Sequence, residues 1–424
     1  MKNPYFSSTA LAGLFGLPRF ATIFSYTALV VLSLPLIIVK NVGEHSKGLH
    51  LGLITGGGAL LSVGAVYFFG LYRDRKNRIH QGFRYPIYSL ALSFPALIII
   101  SLTKNYPVLI IAFLVLIISR AICESSHLAI LTDQPDLENR EHYTAGIAFW
   151  HFLGSGLAAV AFGFFPNPQS IFGIKLNSGL GIVAASIALV SIFGFYSIYS
   201  CQGKTHLLRN DGEDQRVRFY MPKNLMYLIL ARFFFLAGIL MVSTFLVFVV
   251  RDYIGAADVH KTTALLYTGS IVGALAASLP SGKIVQRFGE IPVLFFSGMT
   301  LASVTAVFFL LGPVFPLLQF PCMFLYGAAV SGVISAGLSL TVKLIPHPQL
   351  SGRMMALLTA ATFLSQSLAS ISGALILDPL NRLQSNLGYF GLLAVLELYL
   401  ILGGIFLFRI KALMPEHRTV HPIF

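Results

Sequence analysis

The feature that most constrains this chain is a series of apolar stretches long enough to cross a lipid bilayer. A bilayer core about 30 Å thick needs roughly 20 apolar residues in a helix. Twelve stretches meet this requirement, at 20–39, 51–70, 86–103, 107–130, 143–165, 179–199, 224–250, 262–281, 291–311, 314–342, 353–377 and 388–408. Only 11% of the 424 residues are charged, against about 25% in soluble proteins. The sequence predicts an all-α membrane protein with 12 transmembrane helices.

The basic residues predict how the helices are oriented. The chain has 29 lysines and arginines against 16 acids, an excess that could also suggest binding to nucleic acid. Twenty of the 29, however, lie in loops and tails on one side of the predicted helices and seven on the other. Cytoplasmic loops are enriched in Lys and Arg, so we expect both termini in the cytoplasm and no nucleic-acid partner. The absence of an Asn glycosylation sequon favours a bacterial inner membrane.

The two halves of the chain repeat one plan. The loop GLYRDRKNRIHQGFRYPI at 70–87 has a shorter counterpart, SGKIVQRFGE, about 212 residues later, and PRFATIF at 18–24 has its counterpart in ARFFFLA at 231–237. Internal repeats are typical of transporters. We therefore predict a six-helix bundle over 1–200, a cytoplasmic linker over 201–223 and a second six-helix bundle over 224–424.

Both loops resemble the signature G-x3-D-R-x-G-R of the major facilitator superfamily, which places it between helices 2 and 3 and again between helices 8 and 9. The matching positions are Gly70, Asp74, Arg75, Arg78, Gly282 and Arg287. Asn77 and Gln286 depart from the pattern. The first loop is also similar to that of the sucrose and glycoside cation symporters. The resemblance implies the 12-helix fold of the superfamily and transport by alternating access.

A further charged element follows the fourth predicted helix. Asp133 and Arg140 are separated by six residues and resemble the acidic-x6-Arg element of sugar-transporting members. The resemblance implies that this pair joins Asp74 and Arg78 in a cytoplasmic latch that favours the outward-facing state. The alternative is that these are solvated loop charges.

Charged residues inside predicted membrane helices are the first candidates for function, because charge in hydrocarbon is costly. Arg120, Glu124 and His127 share one face of the fourth helix at i, i+4 and i+7. A carboxylate that titrates beside an arginine and a histidine could couple transport to protons. A permanent salt bridge between helices is the alternative.

Other polar residues are candidates for binding the solute. Aromatic and hydrogen-bonding groups suited to a polar or flat solute are Trp150, His151, Tyr26, Tyr267 and Gln366. Trp150 could instead anchor its helix at the membrane interface. Arg19 and Arg232 occupy equivalent positions in the two halves, and we expect both to snorkel to lipid headgroups. Contact with the solute is the alternative. Glu397 stands alone in the last helix, and the sequence suggests no role for it.

The sequence thus predicts a secondary active transporter that moves a small neutral or amphipathic solute and is coupled to protons or sodium. The alternatives are an exporter of amphipathic compounds or siderophores, and a sensor or assembly factor of the same fold that transports nothing. No phosphate-binding loop, metal-ligand cluster or nucleophile arrangement is present, so an enzyme, a cofactor and a metal are not expected. The expected partners are the solute and the lipid bilayer, and the expected state is a monomer.

Overall fold

The computed structural model is almost entirely helical. It describes residues 16–75, 84–132, 137–164, 170–171, 174–175, 179–202, 221–344 and 351–413. The predicted all-helical class is confirmed. Apart from helices, the regular structure in these ranges is one antiparallel hairpin in which Ser170 pairs with Lys175.

The helices follow the predicted apolar stretches closely. In the N-terminal half they are α1 (Leu17–Val42), α2 (Lys47–Arg75), α3 (Arg84–Leu102), α4 (Tyr106–Thr132), α5 (Leu137–Phe164) and α6 (Gly179–Gln202). In the C-terminal half they are α7 (Lys223–Tyr253), α8 (Val259–Phe288), α9 (Glu290–Leu311), α10 (Gln319–Leu344), α11 (Ser351–Leu383) and α12 (Leu387–Leu413).

Most of these helices have the length and composition of membrane spans. Within the described ranges, nine helices are long and apolar enough to cross a bilayer. The apolar parts described for α5 and α6, Phe149–Phe164 and Leu180–Gly194, are shorter. The chain is therefore a multi-pass membrane protein, and a total of 12 spans stays a prediction for α5, α6 and α8.

The outer surface of the bundle is apolar, as a lipid-facing surface requires. Large exposed side chains on it include Phe68, Phe193, Phe296, Leu398 and Phe408. Glu397 of α12 does not stand free among them: its Oε1 accepts a hydrogen bond from Thr305 Oγ1 of α9 at 2.9 Å. A hydrogen bond of this kind lowers the cost of a polar group in hydrocarbon, which gives Glu397 a structural role.

The middle of α1 departs from α-helical geometry. Tyr26–Ser33 is π-helical, and the N–H of Leu34 donates to the carbonyl of Leu29, five residues earlier. Pro35 follows directly and has no N–H to continue an α-helical ladder. The wider turn therefore gives the N–H of Leu34, directly before the proline, a backbone carbonyl to bond. π-Helical turns are frequent at functional sites.

The two halves pack tightly against each other at one end of the bundle. Glycines of α2 allow α11 to approach closely, since a Cβ at Gly52 would overlap with the Ala374 side chain and the Ser370 carbonyl. On the other side of the bundle, Gly163 of α5 faces Ala264 of α8 in the same way. We call this end, formed by residues 43–48, 251–259 and 378–389, the gate face.

A paired substitution tests this packing. Gly52→Ala adds a methyl group where the backbones meet, and overpacking of this kind costs about 1–3 kcal/mol. Gly57→Ala is the matched control, because a Cβ there has nothing within 4 Å. We expect the free energy of unfolding of the purified protein to fall for the first variant and to stay level or rise for the second. Equal effects would contradict the close packing of α2 on α11.

Candidate functional site

A central cavity lies between the two halves. It encloses about 300 Å³, the lower end of the range for small-molecule sites. Helices α1, α4 and α5 line it from the N-terminal half and α7, α8, α10 and α11 from the C-terminal half. Most of the lining is apolar and includes Ile23, Phe152, Leu236, Ile239, Met323 and Val330. Charged groups line the part of the cavity away from the gate face.

The charged groups are organised around one carboxylate. Glu124 Oε1 lies 3.0 Å from Arg19 Nη2, and Glu124 Oε2 lies 3.8 Å from Arg120 Nε. The Glu124 and Arg120 side chains are one helical turn apart on α4, while Arg19 comes from α1. All three side chains are at most 16% exposed. Burial of this kind is tolerated because the charges compensate one another.

The Arg120 guanidinium is held in place by two further contacts. It stacks on the Tyr26 ring at 3.9 Å, and its Nη1 donates to Gln366 Oε1 at 3.4 Å. Gln366 Nε2 in turn donates to the Tyr26 hydroxyl. Tyr26 comes from the π-helical segment of α1 and Gln366 from α11, so Arg120 is fixed by groups from both halves.

His151 of α5 completes the cluster on the other side. Its Nδ1 lies 3.2 Å from Arg19 Nη2. A guanidinium can only donate, so Nδ1 accepts and the imidazole is neutral, with its proton on Nε2. The predicted cluster on α4 thus extends to a residue of α5, and Arg19 connects the two.

Arg232 of α7 also lines the cavity, but it has no comparable partner. Its Nε and Nη1 are buried and make no hydrogen bond with any residue that the structure describes. Its Nη1 lies 3.5 Å from the place of a Cβ at Gly337, so α10 passes directly beside the guanidinium. The snorkelling to lipid headgroups that we expected of Arg19 and Arg232 is therefore not observed. They face the cavity.

The candidates for solute binding separate into three groups. Tyr26, Tyr267 and His151 line the cavity, while Gln366 is buried behind its surface. Trp150 lies outside the described lining, with its ring 5.4 Å from that of Phe20 at the contact between α5 and α1. The side chain of His127 is not among those described, and its predicted part in the cluster stays a prediction.

The structure describes no side chain for most residues of the predicted cytoplasmic latch. Its members outside the described residues or side chains are Gly70, Asp74, Arg75, Arg78, Asp133, Arg140 and Gly282. Arg287 is exposed near the end of α8, with its guanidinium 5.4 Å from the centre of the Phe288 ring. The latch stays a prediction.

The gate face carries an ion-pair network that sequence reasoning missed. Lys47 Nζ, in the N-terminal half, lies 2.6 Å from Asp252 Oδ2 in the C-terminal half and 2.8 Å from Glu44 Oε2. Arg251 pairs with both Glu44 and Asp252, and the Tyr389 hydroxyl donates to Asp252 Oδ2 at 2.8 Å. Burial opposes ionisation of Glu44, but its bonds with Lys47 and Arg251 outweigh this and hold its pKa below the usual value.

A second device joins the halves beside this network. The first backbone N–H groups of a helix have no partner within the helix. Those of Gly48 and Leu49 in α2 donate to the carboxylate of Asp378 in α11, at 3.1 and 2.8 Å. Arg382 of α11 also donates to the His45 carbonyl at 2.8 Å. The start of α2 is therefore capped by the other half of the chain.

Comparison with known proteins gives the class of this fold. The sequence model of the Major Facilitator Superfamily matches residues 227–422. This match covers 196 of the 424 residues, nearly all of the C-terminal half, and it agrees with the resemblance that the two loop signatures predicted. A search of curated proteins found no match.

Solved transporters share the fold over nearly the whole chain. A D-xylose-proton symporter is 16% identical, with a TM-score of 0.71 over 96% of this chain and 97% of that one. A bacterial homolog of the human lysosomal transporter Spinster is 14% identical, with a TM-score of 0.71 over 98% of both chains. A bacterial homologue of the iron transporter ferroportin is 16% identical, with a TM-score of 0.64 over 95% of this chain and 99% of that one.

A double-mutant cycle tests the charged cluster. Glu124→Gln should lower the free energy of unfolding by about 3 kcal/mol or more, because it leaves Arg19 and Arg120 uncompensated. Arg19→Gln should lower it less, because Arg120 still faces Glu124. The double variant should lose less than the sum of the two. The exposed pair Asp258 and Lys261, 3.5 Å apart, is the matched control and should show a coupling near zero. Additivity within about 0.5 kcal/mol at Arg19 and Glu124 would contradict the pairing.

Proposed function

We propose that the protein is a secondary active transporter that moves a small solute through the central cavity by alternating access. The observation that carries this proposal is the cavity itself. It lies between the two halves, and at the gate face the same halves are held together by ion pairs. Breaking those pairs while closing the far end would expose the cavity to the other side, which is the rearrangement that alternating access requires.

The proposed orientation has both termini in the cytoplasm. In this orientation the gate face lies outside the cytoplasm, and the proposed state is inward-facing with the outer gate closed. In this scheme all 12 helices span the membrane, in bundles over 1–200 and 224–424 that are joined by the linker 201–223. The predicted latch around Asp74 and Asp133 would close the cytoplasmic side in the opposite state.

The Arg19–Glu124–Arg120 cluster is the proposed coupling site. In the ionised state, Glu124 compensates Arg19 and Arg120 across the α1–α4 contact. Protonation of Glu124 would remove that compensation and release Arg19, so the stability of this state would depend on the proton. A coupling ion acts in this way by binding two conformations with different affinity. Sodium in place of the proton would need the same carboxylate.

Accessibility of a reporter cysteine tests alternating access without knowledge of the solute. The parent is a variant with Cys123, Cys201 and Cys322 replaced by serine, and Ser243→Cys places the reporter on the cavity wall. A membrane-impermeant thiol reagent should reach it from the cytoplasmic side. Asp252→Asn should increase its reactivity from the outside, because the ion pair with Lys47 is lost.

The matched control for this experiment is Asp258→Asn. Asp258 lies on the same face, but its described ion pair is local, with Lys261 three residues on. This variant should leave the reactivity of the reporter unchanged. Equal reactivity from both sides in the parent, or no response to Asp252→Asn, would contradict the assignment of the gate.

Glu124→Gln tests the coupling role once a transported solute has been found by screening sugars, peptides, organic acids and amphiphiles. The variant should lose accumulation driven by a pH gradient in proteoliposomes but keep solute exchange at equal pH, because exchange needs no net proton movement. Glu397→Gln is the control, since that carboxylate bonds Thr305 on another helix pair and should leave both activities in place. Unchanged pH-driven accumulation by Glu124→Gln would rule out this residue.

A further inference from the structure

The lining of the cavity carries more positive than negative charge. Among the described lining residues, three guanidinium groups, those of Arg19, Arg120 and Arg232, face a single carboxylate, that of Glu124. Glu124 is already engaged by two of them, and His151 is neutral by its hydrogen bond with Arg19. Among the described lining residues this leaves an excess of two positive charges. A solute without charge would leave this excess uncompensated.

Of the three arginines, Arg232 is the one that forms no ion pair with Glu124. Glu124 acts on it only through space, and two of its nitrogen atoms are buried without a hydrogen bond among the described residues. A guanidinium in a low-dielectric interior is costly unless an anion and good hydrogen bonds compensate it. Its planar fork also matches a carboxylate or phosphate group through two parallel bonds.

The rest of the cavity suits an apolar body. Leu236, Ile239 and Ser243 follow Arg232 at i+4, i+7 and i+11 and line the cavity on the same face of α7. Opposite them, Met323 and Val330 of α10 add further apolar surface. The cavity is therefore amphipathic along its length, with charge away from the gate face and hydrocarbon towards it.

We propose that the transported solute is a small organic anion whose carboxylate or phosphate binds Arg232. Arg19 lines the same cavity from the other half, and the apolar body of the solute lies along α7 towards the gate face. This proposal rests on the proposed transport function and names its substrate class. The sequence predicted a small neutral or amphipathic solute, and this proposal narrows that prediction to an amphipathic anion. Because Arg232 belongs to α7 and Arg19 to α1, one anion would also compensate charges from both halves and favour their closure around it.

The test uses the full-length protein in nanodiscs of phosphatidylcholine, which carries no net charge, at constant ionic strength. Phenylacetate and phenyl phosphate serve as anionic probes and 2-phenylethanol as the neutral analogue. Both anions should raise the melting temperature of the wild type and the alcohol should not. Arg232→Gln should weaken anion binding by about thirtyfold or more, as expected when one partner of a buried charge pair is removed. Without probe it should melt at a higher temperature than the wild type, because an uncompensated charge is gone.

Arg409→Gln is the matched control, since Arg409 is exposed at the end of α12. It should keep the full response to both anions. Stabilisation by added phosphatidylglycerol that Arg232→Gln abolishes, without a response to either soluble anion, would assign the site to an anionic lipid and overturn the small solute. Equal stabilisation by the alcohol, full anion binding by Arg232→Gln, or no anion binding by the wild type would overturn the proposal.

The reporter experiment with Ser243→Cys separates this proposal from the transport function. A reporter that changes sides when the gate is broken, in a protein that binds no anion, would leave transport in place and remove the anionic substrate. Anion binding at Arg232 in a protein whose reporter never changes sides would keep the site and remove alternating access.

Discussion

Compensation of buried charge is the constraint on which this structure depends. Hydrocarbon tolerates a guanidinium or carboxylate only when another group balances it, and the chain places such groups at two levels. In the cavity, Glu124 balances Arg19 and Arg120. At the gate face, Asp252 balances Lys47 and Arg251. Each set draws residues from separate helices, so that charge compensation also positions those helices.

The two levels make different demands on the fold. The gate network, with the capping of α2 by Asp378, joins the two halves directly and is nearly complete in the observed state. The cavity cluster is incomplete, because Arg232 lacks a partner among the described residues. In the proposed transport cycle, an anion bound at Arg232 would complete the cavity cluster. Ligand binding and gate opening would then be linked through the same pair of halves.

Much of the fold could be predicted from the sequence because membrane spans are set by length and apolarity alone. The pairing of Arg120 with Glu124 was also predictable, since it follows from a helical turn. Their partner Arg19 lies about a hundred residues earlier in the sequence, and Lys47 and Asp252 are 205 residues apart, so no local pattern indicates that these groups meet. One signal in the sequence was missed. Arg19 and Arg232 occupy equivalent positions in the two halves, and a cavity that both line accounts for this repetition better than snorkelling to headgroups does. Trp150 was misleading because an aromatic residue packed between helices and one exposed to a cavity look alike in sequence.

In the proposed cycle the gate face opens as a unit when its ion pairs are lost. Opening is measured as the distance between spin labels at Lys104→Cys and Lys261→Cys, two exposed positions outside the gate face that belong to opposite halves. The distance is obtained by pulsed electron paramagnetic resonance in the cysteine-free background. The account predicts one short distance in the parent, and a second, longer one when Asp252→Asn and Asp378→Asn are combined. An unchanged distance distribution in the combined variant would contradict it.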